Sequence, residues 1–400
     1  MEIPRYKYLD WLRSEQNTNF IKVLTGIRNV GKTTILNQFK NTLKNENVIE
    51  FDFNDARLVK QYDWEKLISY IESKSNFGVT NYIFLDEIQE IKEFEKAVIT
   101  LYSHKKFKYD IYITGSNSKM FSTELVSLFT GRVSEIEVFP ISYKEILISI
   151  FDSTPNSNAF NKYLLSGGLG ITIPTYKDFS KTINTIEKVY QGCLVKDVKT
   201  RHRIQETSGI EKISKFLYNH VGRNTSATNI ENYLKSNNEL VLSKKTILNY
   251  FNWLIVAYLF YKVKYYDVRR KAILQTKAKY YATDLGLLTY STSDKIDFNF
   301  GYRLENAVLL KLLEAGYEVY TGTDRYKNEI DFIIKKNNTI KYIQVCHSLN
   351  DENFERETRS LLNMKDGYEK IIFTLEISVG QIKGITLIDI EKFLLGEIEI

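Results

Sequence analysis

The residues of this chain that could do chemistry begin close to its amino end. Gly26-Ile27-Arg28-Asn29-Val30-Gly31-Lys32-Thr33, followed by Thr34, sets two glycines five apart and ends in a lysine and a hydroxyl. Glycines let the backbone wrap closely, so that successive N–H groups and a helix start can face one anion. The spacing G-x-x-x-x-G-K-[ST] is a cradle for phosphate groups. Lys32 would reach the β- and γ-phosphates of a nucleoside triphosphate, and Thr33 would offer its hydroxyl to Mg²⁺. Further on, the apolar run Tyr82-Ile83-Phe84-Leu85 delivers the carboxylate pair Asp86-Glu87. Asp86 would hold Mg²⁺ through its water shell. Glu87 would polarise an attacking water, a task that nucleotide binding alone does not require. Ser116, in Ile113-Thr114-Gly115-Ser116-Asn117-Ser118, is a candidate contact to the γ-phosphate or the water, with an ordinary strand-end turn as the other reading. Arg132, in Thr130-Gly131-Arg132, carries a planar fork that suits spreading phosphoryl charge, in cis or toward a neighbouring subunit of an oligomer. A surface salt bridge is the alternative for that arginine.

Such groups need rigid elements to position them. Phe20–Thr25, Val48–Asp52, Asn81–Asp86 and Asp110–Thr114 are short apolar runs separated by amphipathic stretches, which predicts an α/β fold with a parallel sheet covered by helices. Residues 25, 86 and 114 end their runs with a polar side chain, at the carboxyl edge where open α/β sheets bind ligands. The polar stretch Asp152–Asn158 marks a first boundary near residue 155, followed by a helical linker over 156–210. Over 211–295, two short helices (Ser226–Leu234 and Ser243–Leu254) precede two aromatic-rich strands, Tyr258–Lys264 and Lys279–Ala282, the outline of a winged helix. On the second helix Ile247, Tyr250, Phe251 and Leu254 share one face, and Lys245, Asn249 and Asn252 the other. With the hairpin tip Arg269, Arg270 and Lys271, that polar face is a candidate DNA contact, although the same module also serves protein–protein contact. A last segment, 296–400, carries a helix from Leu304 and strands near Tyr317–Tyr320, Glu329–Ile334 and Tyr342–Cys346.

Composition narrows the class. With 400 residues, 43% hydrophobic and 26% charged, the chain is a multi-domain globular protein and neither disordered nor fibrous. A net charge of +6 permits a polyanionic partner without requiring one. Cys193 and Cys346 stand far apart, which argues against a disulfide scaffold or a zinc finger and fits a reducing compartment. Met1–Tyr6 lacks an apolar core of the kind a signal peptide has, and the longest apolar run, Trp253–Tyr261, is too short for a membrane span. A cytoplasmic location with no membrane partner is expected.

Taken together, the motifs resemble those of the bacterial and archaeal AAA-type ATPases that carry a C-terminal domain called DUF4143. Residues 26–34, 85–90 and 114–118 resemble the three NTPase signatures, and Leu128–Arg132 with Phe139–Glu145 the segment that closes the ATPase domain. Lys279–Leu287 and Leu304-Glu305-Asn306 resemble landmarks of the C-terminal half. The resemblance implies ATP binding, Mg²⁺-dependent hydrolysis, a winged helix and a restriction-endonuclease-like end. An ATP-gated DNA- or protein-binding regulator with slow turnover is the alternative function. In the end domain, Glu329-Ile330-Asp331-Phe332-Ile333 and Tyr342–Cys346 are similar to a PD-(D/E)xK core with Glu305 as the helix acid. Gln344 stands at the second-acid position and Cys346 at the lysine position, however, so a catalytically dead scaffold is expected. His347, adjacent to Cys346 on an extended strand, faces the opposite side and is expected to pack rather than to ligate.

Overall fold

A computed structural model describes residues 2–117, 129–152, 155, 157–202, 204, 208–236, 242–268, 270, 272–292, 300–375 and 380–400. Ser118, Leu128, Arg269 and Lys271 lie outside the described residues. The chain forms two compact units, Met1–Val138 with Val256–Tyr258, and Phe139–Ile255 with Leu259–Ile400. The breaks drawn from sequence near residues 156, 211 and 296 all fall inside the second.

The first unit is built on β1 (Ile21–Thr25), β2 (Asn47–Asp52), β3 (Thr80–Asp86), β4 (Lys108–Gly115) and β5 (Val133–Glu137). All pair parallel, in the order β2-β3-β4-β1-β5. Every residue of β1 and all but the first of β3 are buried, which is why these strands read as unbroken apolar runs. Helices α1 (Tyr6–Glu15), α2 (Lys32–Lys40), α3 (Ala56–Gln61), α4 (Trp64–Lys74) and α5 (Phe94–Tyr102) accompany the sheet. Leu67, Ile71, Val98 and Leu101 from α4 and α5 share one core with Val23, Ile83 and Ile113 of the strands. β5 escapes a reading by apolar runs because Val133-Ser134-Glu135-Ile136-Glu137 is a half-exposed edge strand.

This order sets β4 between β1 and β3, so the carboxyl ends of β1 and β3 stand two strand spacings apart, about 10 Å. A buried polar staple holds β1 against β4: the fully buried Lys22 ammonium donates to Asp110 Oδ1. The other oxygen of Asp110 accepts from Tyr112 Oη and from the Asn17 N–H, each at 2.8 Å. With its acceptor sites filled, the pair specifies which strands are neighbours, a use of buried charge that area burial cannot supply.

The second unit has one nine-stranded sheet. It comprises β6 (Asn224–Thr225), β7 (Phe260–Asp267), β8 (Ala272–Ala282), β9 (Glu318–Thr323), β10 (Glu329–Lys336), β11 (Thr339–Val345), β12 (Glu369–Thr374), β13 (Gly380–Ile382) and β14 (Ile385–Asp389). The order is β13-β14-β12-β11-β10-β9-β7-β8-β6. The hairpin β7–β8 follows the helices Ala227–Ser236 and Lys244–Val256, and its β7 pairs parallel with β9. The hairpin is therefore continuous with the strands of the last hundred residues.

Behind this sheet a buried carboxylate fixes the loop Gly167-Gly168. Asp284 caps the helix Leu285–Ser291 by accepting from the N–H groups of Gly286 (2.8 Å) and Leu287 (3.2 Å), and it also accepts from Gly168 N–H (2.7 Å). A Cβ on Gly167 would fall 2.3 Å from Asp284 Oδ1, and one on Gly168 would fall 2.0 Å from the Ile141 carbonyl oxygen. Only glycine fits so close an approach. Burial pushes the Asp284 carboxyl up to about 6 from its ordinary 3.8, against the three donors that favour the charged form. A raised carboxyl means that the folded chain binds more protons than the unfolded one between those two values, so this group's contribution to stability falls as pH rises through that window. Asp284→Asn keeps the size and removes the ionisation. Urea unfolding is expected to show wild-type stability falling relative to that variant by about 3 kcal/mol between roughly pH 4 and pH 7. Parallel pH profiles would refute the linkage.

Candidate nucleotide-binding site

The loop that follows β1 is forced into shape by two glycines. Gly26 has φ +140°, and a Cβ there would meet the Val138 carbonyl oxygen at 2.5 Å; Gly31, at φ +112°, caps α2. Asn29 also takes the left-handed region, at φ +64°. Val30 and Ile27 are buried and anchor the loop from below. Helix α2 then begins at Lys32, with Thr33 and Thr34 in its first turn, so its free N–H groups face the loop. The buried Lys32 ammonium donates to the carbonyl oxygens of Gly26 (3.0 Å) and Ile27 (3.3 Å) and lies 3.3 Å from Glu87 Oε1.

The carboxylates arrive from β3. Asp86 Oδ2 accepts from Thr33 Oγ1 at 2.5 Å, and Asp86 Oδ1 accepts from Thr114 Oγ1 at the end of β4. The Thr114 hydroxyl in turn accepts the Glu87 N–H at 2.9 Å. Glu87 adopts φ +51°, an uncommon conformation for a side chain of this size, held by that bond and by its Lys32 partner. The Gln89 side-chain amide donates to Glu87 Oε2 and reaches Ser116 Oγ at 3.4 Å. One acidic pair, one lysine and four polar side chains, Thr33, Thr114, Gln89 and Ser116, thus converge where β1, β3 and β4 end.

Environment separates the two acids. Burial raises the Asp86 carboxyl, and the hydroxyls of Thr114 and Thr33 only partly offset it. Burial acts in the same direction on Glu87, but the charges of Lys32 and Arg28, with hydrogen bonds from Gln89 and Ser116, outweigh it and hold the carboxyl below its usual range. Oxygen donors from Thr33 and Asp86 touching one another fit a hard divalent cation, which favours hydroxyl, carboxylate and water ligands.

Lys32, Thr33, Asp86, Glu87 and Ser116 are brought together as the spacing implied; Arg132 is not. Its carbonyl accepts the N–H of Ile21, the first residue of β1, at 2.8 Å, and its exposed guanidinium lies over the Tyr102 ring at 5.5 Å. The phosphate loop follows the opposite end of β1, five residues or about 16 Å away. Action of Arg132 on this chain's own loop is thereby corrected. Thr114 and Gln89 were missed as site residues: both sit inside the quoted motifs, but the β3–β4 pairing is what brings Thr114 to the acids, and Gln89 reaches back to Glu87 from the turn after β3.

In the second unit Ile247, Tyr250, Phe251 and Leu254 are buried, while Lys245, Asn249 and Asn252 are exposed, as the helical spacing predicts. Arg270 is exposed and its backbone N–H donates to Asp267 at 3.0 Å. Glu305 and Asp331 do meet, together with Gln344, at a cavity of about 500 Å³. Cys346 belongs instead to a buried apolar cluster with Ile330, Tyr342 and Leu361, where burial pushes its thiol up to about 12. His347 is exposed. The ammonium at this cavity comes from an unforeseen residue, Lys279 of β8, whose Nζ lies 3.0 Å from Glu305 Oε1, 2.5 Å from Glu329 Oε1 and 3.8 Å from Asp331 Oδ1. A lysine 26 residues before Glu305 has no local signal that would assign it there. Among the described residues no helix is long and apolar enough to cross a membrane.

Residues 18–147 match the family model described as AAA domain. With the parallel sheet and the phosphate loop, that match defines the first unit as an AAA-type P-loop ATPase domain. Residues 157–295 match a domain of unknown function, DUF8612, which corrects the expectation of DUF4143. The chain is 34% identical over 405 residues to an uncharacterized protein of Haemophilus influenzae, covering 98% of each chain. It is also 30% identical over 385 residues to an uncharacterized protein of Methanocaldococcus jannaschii, covering 93% of this chain and 83% of that one. The chain belongs to the family of these two proteins. A Walker-type ATPase of Pyrococcus abyssi, at 15% identity and a TM-score of 0.51 over 72% of this chain and 96% of its own, shares the fold.

Thr114→Val removes the hydroxyl shared by Asp86 and the Glu87 N–H while keeping the side chain's shape. It is expected to cost about 2 kcal/mol of stability, since two buried groups lose a partner. Titration calorimetry with ATP is expected to show about tenfold weaker binding in the presence of Mg²⁺ only. Unchanged affinity would mean that this hydroxyl does not position the acid.

Proposed function

We propose that the first unit binds ATP with Mg²⁺ and hydrolyses it to ADP and phosphate. The observation that carries this reading is the convergence of Lys32 on Glu87 and of Thr33 and Thr114 on Asp86 at one sheet edge. In this reading the amides of residues 26–34 and the Lys32 ammonium hold the phosphate oxygens, Lys32 exchanging its carbonyl partners for them. Thr33 and Asp86 hold the metal. When bound, Mg²⁺ supplies positive charge to the phosphate oxygens. Glu87 accepts a proton from water as the water oxygen bonds to the γ-phosphorus and the bond to the β–γ bridging oxygen breaks, that oxygen leaving with ADP. Gln89 and Ser116 orient the Glu87 carboxylate. Arg132 lies at the opposite end of β1 from the phosphate loop, so its part in this reading is toward the nucleotide of a neighbouring subunit.

In the second unit the helix pair and hairpin are read as a winged helix, and the exposed row Lys245, Asn249 and Asn252 as a face for the DNA backbone and base edges. Nucleotide turnover or occupancy would regulate that contact.

Lys32→Ala is expected to abolish ATP binding by calorimetry. Glu87→Gln is expected to bind ATP within about threefold of wild type while steady-state turnover falls at least about 100-fold, the usual size of a general-base effect. Wild-type turnover in Glu87→Gln would remove Glu87 from the reaction, and slow turnover in both proteins would favour a nucleotide-gated binding protein. Lys245→Ala with Asn249→Ala is expected to weaken duplex DNA binding in low-salt fluorescence anisotropy by about tenfold. Absence of wild-type binding at low salt would remove DNA from the reading.

A further inference from the structure

One acceptor at the nucleotide-binding edge of the first unit has no donor among the described residues. It is the amide oxygen of Gln89, a half-buried side chain in the tight turn Ile88–Glu90 that follows β3. The fully buried Ile88 anchors this turn, and two backbone bonds close it: Glu90 N–H donates to the Glu87 carbonyl at 3.1 Å and Ile91 N–H to the Ile88 carbonyl at 3.0 Å. Gln89 is thus carried by well-held backbone beside the acids. Its Nε2 donates to Glu87 Oε2 and reaches Ser116 Oγ at 3.4 Å. Those contacts fix which way the amide faces, because the reverse setting would put its oxygen against the Glu87 carboxylate, acceptor against acceptor. Oε1 is therefore the end turned away from Glu87, and it is shielded from bulk solvent.

A shielded acceptor calls for a donor. Phosphate oxygens cannot serve, since they are acceptors themselves. The hydroxyls and the ammonium of the site are committed: Thr33 and Thr114 to Asp86, Ser116 to Glu87, and Lys32 to Glu87 and the carbonyls of Gly26 and Ile27. A water molecule is the donor that remains. A water that attacks phosphorus has two O–H bonds, and its lone pair stays on line only when both are held. Glu87 can take one. An amide oxygen from the same turn, tied to Glu87 through its own nitrogen, is placed to take the other.

We propose that Gln89 is a catalytic residue of the hydrolysis, its Oε1 accepting one O–H of the attacking water while Glu87 takes the proton of the other. The inference rests on the ATPase reading given above. As the water oxygen bonds to the γ-phosphorus, the bond to the β–γ bridging oxygen breaks and that oxygen leaves with ADP. One proton passes to Glu87. The second stays on the attacking oxygen, hydrogen-bonded to Gln89, and departs with phosphate.

Gln89→Met keeps the length of the side chain and removes its amide. In single-turnover assays with ATP and Mg²⁺ it is expected to slow cleavage at least about tenfold, with ATP affinity by calorimetry within about threefold of wild type. A residue that acted only through Glu87 would add nothing once that carboxylate is gone. The same substitution made in Glu87→Gln is instead expected to slow cleavage by a further fivefold or so at least. Binding supplies a readout apart from turnover. ADP with aluminium fluoride, which imitates the phosphoryl group in transfer with its water in line, is expected to bind Gln89→Met about tenfold more weakly than wild type, while ADP alone binds both alike. Wild-type cleavage in Gln89→Met, no added cost in the Glu87→Gln protein, or equal losses of ADP affinity with and without the fluoride would each overturn this role and leave the ATPase reading standing. Absence of cleavage by the wild type would remove both.

Discussion

A carboxylate taken out of water needs donors or a counter-charge, and the layout of both units follows from how that need is met. Asp86 is held between the hydroxyls of Thr33 and Thr114, so the start of α2 and the end of β4 are fixed relative to β3. Asp110 takes Lys22, Tyr112 and the backbone of Asn17, which ties β1 to its neighbour. Asp284 takes three backbone N–H groups and so binds a helix start to a distant glycine pair. Each carboxylate thereby links segments that are far apart in sequence. None can be satisfied if the topology changes, and the polar contacts therefore select the fold that apolar burial makes stable.

At the sheet edge the same requirement produces chemistry. Two adjacent acids leave β3 and enter different surroundings: Asp86 among hydroxyls, Glu87 against an ammonium. The left-handed backbone at Glu87 turns its side chain away from that of Asp86 and toward Lys32. Strain of about 1–2 kcal/mol at such a residue is tolerable only because the β3–β4 ladder and the Thr114 hydroxyl hold the backbone on both sides. A groove that binds phosphate by its backbone alone would not need this turn.

The second unit shows the opposite economy of sequence. Its hairpin β7–β8 belongs, by position in the chain, with the two helices before it, yet β7 pairs with β9 and carries the sheet onward to β13. The ammonium of Lys279 reaches the acids of β10 because of that continuity. Cys346, by contrast, stands in the run where a lysine was sought and turns into the apolar cluster with Tyr342 and Leu361. A side chain's place along a strand gives its face, but which neighbours share that face is set by strands it is not connected to.

Much of the first unit was legible from residue types. The phosphate loop, the strand before it and the acidic pair after β3 have local causes: glycine's freedom at positive φ, apolar runs where both faces are covered, and polar residues where a strand meets solvent. The buried and exposed faces of the helix Lys244–Val256 were legible for the same reason, since helical period is a local property. The alternating edge strand β5, the partnership of Thr114 and Gln89 with the acids, the distance of Arg132 from the loop and the arrival of Lys279 were not. Sequence by itself determined which segments are stiff, which faces are apolar and which side chains can bind phosphate or metal, because those follow from bonds and periods a few residues long. Tertiary structure alone decided which of those side chains share a charge, because electrostatic pairing depends on a few ångströms of separation between strands whose order no short stretch of chain encodes.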